Sequence, residues 1–119
     1  MLDLKALLTK VLSAFGIHSN GSWRYVILGR FFIGACSFTG SLTITTTVGN
    51  VYQTGSNSNI TLPVTLTNCV YADVKVMSSN YGVWTYMVSK GNTLYYRAMS
   101  ALSRSTASYT ICAIVIGIV

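Results

Sequence analysis

Acidic residues are almost missing from this chain. Its 119 residues hold two, Asp3 and Asp73, against eight lysines and arginines, for a formal net charge of +6. A lone histidine, His18, and a lone proline, Pro63, extend the list of scarcities. Two carboxylates roughly seventy residues apart do not furnish the acid pair of a glycosidase unless the N-terminal segment folds back onto a distant strand. A Ser-His-carboxylate triad runs out of members just as fast, and no spacing brings a cysteine to His18. The glycines follow neither a GxGxxG nor a Walker A pattern. Cys36, Cys69 and Cys112 show no CxxC spacing, so a structural zinc site is not expected. They are read as small buried hydrophobes, with one disulfide and a spare thiol as the other arrangement. The expectation is a protein that is not an enzyme and carries no cofactor and no metal.

Long apolar runs are missing too. No window reaches eighteen uninterrupted apolar residues, which argues against membrane insertion as a helix. The opening MLDLKALLTKVLSAF lacks the basic start of a secretory signal, Lys10 interrupts its apolar part, and no small-residue cleavage site follows. The basic residues are Lys5, Lys10, Arg24, Arg30, Lys75, Lys90, Arg97 and Arg104, with no cluster of three. Nucleic acid is therefore not the expected partner. The charge keeps a poorly charged protein in solution and attracts it mildly to anionic surfaces.

What the chain does have is apolar and small polar matter. It is 51% hydrophobic and 8% charged, where a globular domain has about a quarter of its residues charged. The polar share is Ser, Thr, Asn, Gly and Tyr, which suits strands and tight turns. A mean hydropathy of +0.53 is high for a monomer of 12.9 kDa, so part of the surface is expected to be covered in an oligomer.

Residues 1–16 read as an amphipathic helix. Met1, Leu4, Leu8, Val11 and Phe15 recur at alternating spacings of three and four, the seam of a coiled coil or of a helix docked on a body. A lone helix of this length is marginal in water, so the stripe must pack, either on its own domain or on symmetry mates. Residues 17–21 read as a linker containing a solvated His18. From residue 22 onward the period changes to two. Roughly eight strands with turn signals every eight to twelve residues indicate an all-β sandwich or barrel. Trp23, Tyr25 and Ile27 share one face. Val70, Ala72, Val74 and Val76 oppose Tyr71, Asp73, Lys75 and Met77, and Val83, Thr85 and Met87 oppose Trp84, Tyr86 and Val88. NVYQTGSNSN reads as the clearest loop, Pro63 as the mark of an edge or bulge, and LSRSTAS as a polar loop. The closing SYTICAIVIGIV has no polar face. One side is expected to look into its own core and the other, with Ile114, Ile116 and Ile118, toward neighbouring subunits.

Tyrosine and asparagine in loops supply flat amphipathic area and adaptable hydrogen bonds, the chemistry by which sugars are held. Tyr52, Asn57, Asn59, Tyr81 and Arg104 are the candidate ligand-binding residues. Tyr71, Tyr86 and Tyr109 are read as filling or rimming the core, as are Trp23 and Trp84 at strand positions.

Three motifs carry a resemblance. Gly21, Trp23 and Tyr25 form a G-x-W-x-Y opening, Leu62 to Leu66 form an apolar segment with a proline, and the end carries Ser108, Tyr109, Ile111, Ala113, Ile114, Ile116 and Gly117. Together they resemble the C-terminal receptor-binding head domains of tail-fibre or minor structural proteins from tailed phages and prophages, and DLKALLTKVL is similar to the helical stem that precedes such heads. The sequence departs from the family at Val26 to Gly29 and at Ile118 and Val119, both more apolar than usual. The resemblance implies a jelly-roll-like β-sandwich over residues 22–119, a homotrimer, and a place in a phage tail fibre made in the host bacterial cytoplasm. It also implies a bacterial surface glycan as receptor. A purely structural fibre cap or decoration protein and a free jelly-roll lectin are the alternatives.

Overall fold

Alternating β-branched and aromatic residues, broken by Gly21, Gly29, Gly49 and Gly91 at tight reversals, build an antiparallel sheet. The computed structural model describes residues 3–7, 16–77 and 82–119. Nine strands are seen among them: β1 (His18–Asn20), β2 (Trp23–Leu28), β3 (Phe31–Val48), β4 (Val51–Thr54), β5 (Ser58–Thr61), β6 (Asn68–Met77), β7 (Val83–Ser89), β8 (Thr93–Ser100) and β9 (Arg104–Ile118). Residues 4–7 form a helical turn. Asp3 caps it, its Oδ1 accepting from the Lys5 and Ala6 amides at 3.0 and 3.2 Å. Leu4 in that turn is exposed. Met1, Leu8, Val11 and Phe15, the rest of the expected helical seam, lie outside the described residues.

The long pair β3 and β9 is the spine. They run antiparallel from Phe31 opposite Ile118 to Ile44 opposite Arg104. At about 3.3 Å per residue the eighteen residues of β3 extend nearly 60 Å, close to the 67 Å long axis of the molecule. β9 occupies one edge of β3 from Phe31 to Ile44. On the other edge β2 and β4 lie end to end, β2 against Phe31 to Cys36 and β4 against Ile44 to Val48. β8 repeats the device, with β4 and β5 along one edge and β7 along the other. β6 pairs the free edge of β9. The sheet curls until β6 meets β7, where the Thr85 hydroxyl donates to the Val74 carbonyl and no ladder forms. The expected all-β class is what the chain adopts. The pairing traces one curled antiparallel sheet and does not establish the separate second sheet of a jelly-roll sandwich.

Three local expectations change. The segment 17–21 contains β1, which pairs β2, and His18 stacks on Tyr25 with ring centroids 5.1 Å apart. The stretch taken as the clearest loop contributes β4 and the start of β5, and Thr54 within it is buried. Its polar residues suit a strand because β8 and β3 take up its backbone groups and its side chains alternate in and out. β9 begins at Arg104, inside the expected polar loop, because β3 is long enough to template it. Pro63 lies just after β5 ends at Thr61, where its missing amide costs no ladder bond.

One core runs inside the curl. Phe32, Ile44, Leu94, Tyr96, Ala98, Ile111, Ala113 and Val115 are essentially inaccessible, and Trp23, Leu62 and Leu66 close one end. The Trp23 indole donates to the Thr61 carbonyl at 3.1 Å, so its one polar atom is satisfied on burial. Asn92 clips the 62–67 segment through its side chain, accepting from the Leu66 amide at 2.7 Å and donating to the Leu66 carbonyl at 3.3 Å. That segment presses on β9. A Cβ at Gly117 would stand 2.5 Å from Leu66 Cδ1 and 2.8 Å from the Asn68 carbonyl oxygen. Backbone cannot yield as a side chain does, so Gly117→Ala is expected to cost about 1–3 kcal/mol. A urea unfolding midpoint equal to wild type would contradict that packing.

Burial also sets an alkaline limit. It pushes the Cys36 and Cys69 thiols and the Tyr96 phenol above their ordinary values; Ala113 (a backbone hydrogen bond), Lys90 and Ser58 respectively oppose the shift without cancelling it. A folded state that keeps its protons longer contributes its full stability below the unfolded pKa and loses it as pH rises through the folded one. The thiol contribution therefore declines from about pH 8.5 upward and the phenol from about pH 10. Thermal midpoints should fall between pH 8 and 10.5, and a flat profile there would contradict the assignment. All three cysteines are free thiols.

Candidate functional site

Two outward faces of the curl hold more than an ordinary surface does. The first covers β7, β8 and the strands beside β8. Period two in β7 sends Val83, Thr85 and Met87 inward, which leaves Trp84, Tyr86 and Val88 outside. β8 contributes Tyr95, Arg97 and Met99 to the same side. The register sets Tyr86 opposite Arg97, Trp84 opposite Met99, Gln53 on the other flank of Met99 and Asn59 opposite Tyr95. Trp84, Tyr86 and Tyr95 are 42%, 41% and 39% exposed. The Tyr86 hydroxyl donates to Gln53 Oε1 at 3.4 Å, which draws the ring across β8. Arg97 Nε donates to Asn57 Oδ1 at 2.7 Å and Nη1 to the Thr54 carbonyl at 3.2 Å. The result is a ribbon of three rings around an immobilised guanidinium.

Of the predicted ligand residues, Asn57 and Asn59 are exposed and belong to this face. Tyr52 is half-buried and packs against the core, since it sits opposite inward-facing Ser100. Arg104 is half-buried at the start of β9, with Nε donating to Ser100 Oγ at 2.9 Å. The structure therefore does not bring Tyr52 and Arg104 to the asparagines. Tyr81 lies outside the described residues. Trp84 and Tyr86, expected in or at the rim of the core, are exposed instead, as is Tyr71, whereas Trp23 and Tyr109 are buried. Arg97 was not singled out from the sequence. The alternation TLYYRAMS put it on the outward side with Tyr95, and that was its only signal.

The second face lies over β2, β3, β9 and β6. Outward positions in register across them include Val26, Ile33, Ile116 and Tyr71 in one row, and Arg24, Ala35, Ile114 and Asp73 in the next. Ile114 is 53% exposed, and Phe31, Ile33, Tyr71 and Met77 are exposed as well. Ile116 and Ile118 are half-buried by their neighbours on the same side. A shallow groove lined by Ile17, Tyr25, Val26, Ile33, Ala35 and Ile114 runs along this face. The inward half of the expected division of the closing strand is seen in the fold: Tyr109, Ile111, Ala113 and Val115 are buried inside, while Ile114, Ile116 and Ile118 lie on the outer side of the single chain.

Charge is thin on both faces. Asp73 pairs with Lys75 at 3.4 Å on the apolar face, and Asp3 caps the helical turn. Among the described residues there is no group of three or more His, Cys, Asp or Glu side chains placed to hold a metal. No helix among them is long and apolar enough to cross a membrane, which says nothing of spanning with strands.

No protein-family model matches the chain, and no curated protein sequence matches it. Among solved structures the fold is similar to that of the R1 pyocin fibre of P. aeruginosa, determined for its C-terminal residues 323–701. The likeness has a TM-score of 0.58, covers 98% of this chain and spans 32% of the pyocin fibre chain, at 12% sequence identity. At that identity what the two share is a β-rich fold.

Proposed function

We propose that this chain is the receptor-binding head of a phage tail-fibre-type protein, a jelly-roll-like module that assembles as a homotrimer and binds a host bacterial surface glycan without catalysis. The virion tail is its site of action, and the host cytoplasm its site of synthesis. The observation that carries the reading is the likeness to a pyocin fibre over 98% of the chain. Two features of the surface support it. Phe31, Ile33, Tyr71, Met77 and Ile114 are exposed apolar side chains on one face, which suits coverage by other subunits, and Ile114 lies on the side of the closing strand expected to meet them. The opposite side of the curl presents tyrosine, tryptophan and asparagine, the groups that stack on and hydrogen-bond to sugars.

A purely structural fibre component is the second reading. It is favoured by the turning-in of Tyr52 and Arg104, which removes two of the candidate contacts. A glycan array of bacterial polysaccharides separates the two, run alongside light scattering to fix the mass. Selective binding by a particle of three times 12.9 kDa is the expected result. A trimer silent on every glycan would leave the structural reading, and a monodisperse monomer would sink both.

A further inference from the structure

We infer that the outer face of β7 and β8 binds an acidic polysaccharide, taking a uronic-acid carboxylate on Arg97 with the sugar rings against Tyr86, Trp84 and Tyr95. The inference rests on the glycan-binding reading and narrows it to one ligand chemistry and one place. Arg97 is the reason. Its Nε is engaged by Asn57 at 2.7 Å and one Nη1 hydrogen by the Thr54 carbonyl at 3.2 Å. Both partners are neutral, so the guanidinium is held in place with its charge uncompensated. Five N–H donors less two leave the second Nη1 hydrogen and both Nη2 hydrogens for something else. Those on adjacent nitrogens form the fork that matches the two oxygens of a carboxylate.

Among the described residues no carboxylate competes for that fork. Of the two acids in the whole chain, Asp3 caps a helical turn and Asp73 is paired with Lys75 on the apolar face. A net charge of +6 adds long-range attraction for a polyanion. The surroundings specify a sugar and not a bare ion. Tyr86 is the direct cross-strand partner of Arg97, and Trp84 and Tyr95 stand one outward position away along their own strands, about 7 Å in each case. Rings at that spacing beside a fixed cation suit successive pyranose units that present C–H faces to the aromatics and a carboxylate to the arginine. Gln53 and Asn59, on the strands beside β8, add amides at the rim.

The test is binding to immobilised polygalacturonate, its methyl ester and a poly(glycerol phosphate), measured by biolayer interferometry at two salt concentrations. The full chain binds polygalacturonate, and esterification, which removes the charge and keeps the ring, abolishes binding. Arg97→Ala and Arg97→Lys each lose about 10- to 100-fold, the lysine variant because a point charge does not replace the fork. Tyr86→Ala, a change at an exposed ring that leaves the core intact, loses about 10-fold or more, which protects the test if Arg97 variants fold poorly. Lys75→Ala, on the other face, is unchanged. Equal binding to ester and acid, or full binding by the Arg97 and Tyr86 variants, overturns the inference and leaves glycan binding standing. Equal binding to the phosphate polymer overturns the commitment to a carboxylate. Silence on all three polymers overturns the inference, and only silence on the wider glycan array as well would remove the reading beneath it.

Discussion

Replacing Ile114 with lysine is expected to turn the proposed trimer into monomers. Ile114 is 53% exposed in the single chain and lies at the middle of the apolar face, with Ala35 and Asp73 as its lateral neighbours. If that face is covered by other subunits, each copy loses the burial of the half of the side chain still exposed, about 1–1.5 kcal/mol. Each copy also brings a charge into an apolar contact, at several kcal/mol more. Three copies multiply the effect, so assembly should disappear at micromolar concentrations. The single chain should tolerate the change. Asp73 sits directly across the ladder, and opposite charges facing each other on neighbouring strands are mildly favourable. Light scattering should therefore fall from three times 12.9 kDa to 12.9 kDa while the thermal transition remains cooperative. Ile114→Val, which keeps the face apolar, should stay assembled. A second readout is chemical. The Cys112 thiol lies on the same face, half-exposed beside Ser37. It should alkylate slowly in the wild type and quickly in the lysine variant. An unchanged mass for Ile114→Lys would remove this face from the assembly.

The largest stability effect is expected at Phe32. Its ring is fully buried, lies 5.3 Å from the Tyr25 ring, and covers Gly34, where an added Cβ would stand 2.6 Å from Phe32 Cζ. Phenylalanine over glycine fills a place where the strand itself has no side chain. Phe32→Ala removes the ring and leaves Gly34 bare, a cost of about 3–5 kcal/mol. That is a large part of the roughly 6–18 kcal/mol that holds a domain of this length together, and about 10–25 °C in melting temperature. Gly34→Ala in the wild type should cost about 1–3 kcal/mol by collision with the same ring. In the Phe32→Ala background the collision partner is gone, and the added methyl should cost almost nothing or restore some stability. The two changes are therefore strongly non-additive. Additive losses in a double-mutant cycle, measured at one protein concentration, would show that the ring and the glycine are independent.

Much of the architecture was legible because a strand alternates and cannot hide it. The facing sets in β7 and the inward trio Trp23, Tyr25 and Ile27 follow from period two and appear in the fold, as does the β6 set except Val70, which a bulge between Cys69 and Tyr71 leaves exposed. The closing strand announced two apolar faces by having no polar one. Period two, however, says which residues share a side and not which side is inside. In β7 one set is Val83, Thr85 and Met87 and the other Trp84, Tyr86 and Val88. Hydrophobicity alone favours burying the tryptophan. Thr85 is nevertheless the inward residue, because its hydroxyl finds the Val74 carbonyl across the seam with β6. The polar stretch from Tyr52 to Asn59 was equally misleading, since its pairing partners on β8 lie some forty residues onward.

The amino-acid sequence by itself determined the class of this protein: all-β, poor in charge, and holding in SYTICAIVIGIV a strand with no polar face. Those properties are local, set by side-chain chemistry and a two-residue repeat. The tertiary structure alone decided what stands next to what. It curled one sheet until β6 met β7, turned Tyr52 and Arg104 away from the asparagines they were grouped with, and placed Arg97 against Asn57 across a separation of forty residues. Contacts of that range depend on strand order, and strand order is a property of the folded sheet that no stretch of sequence contains.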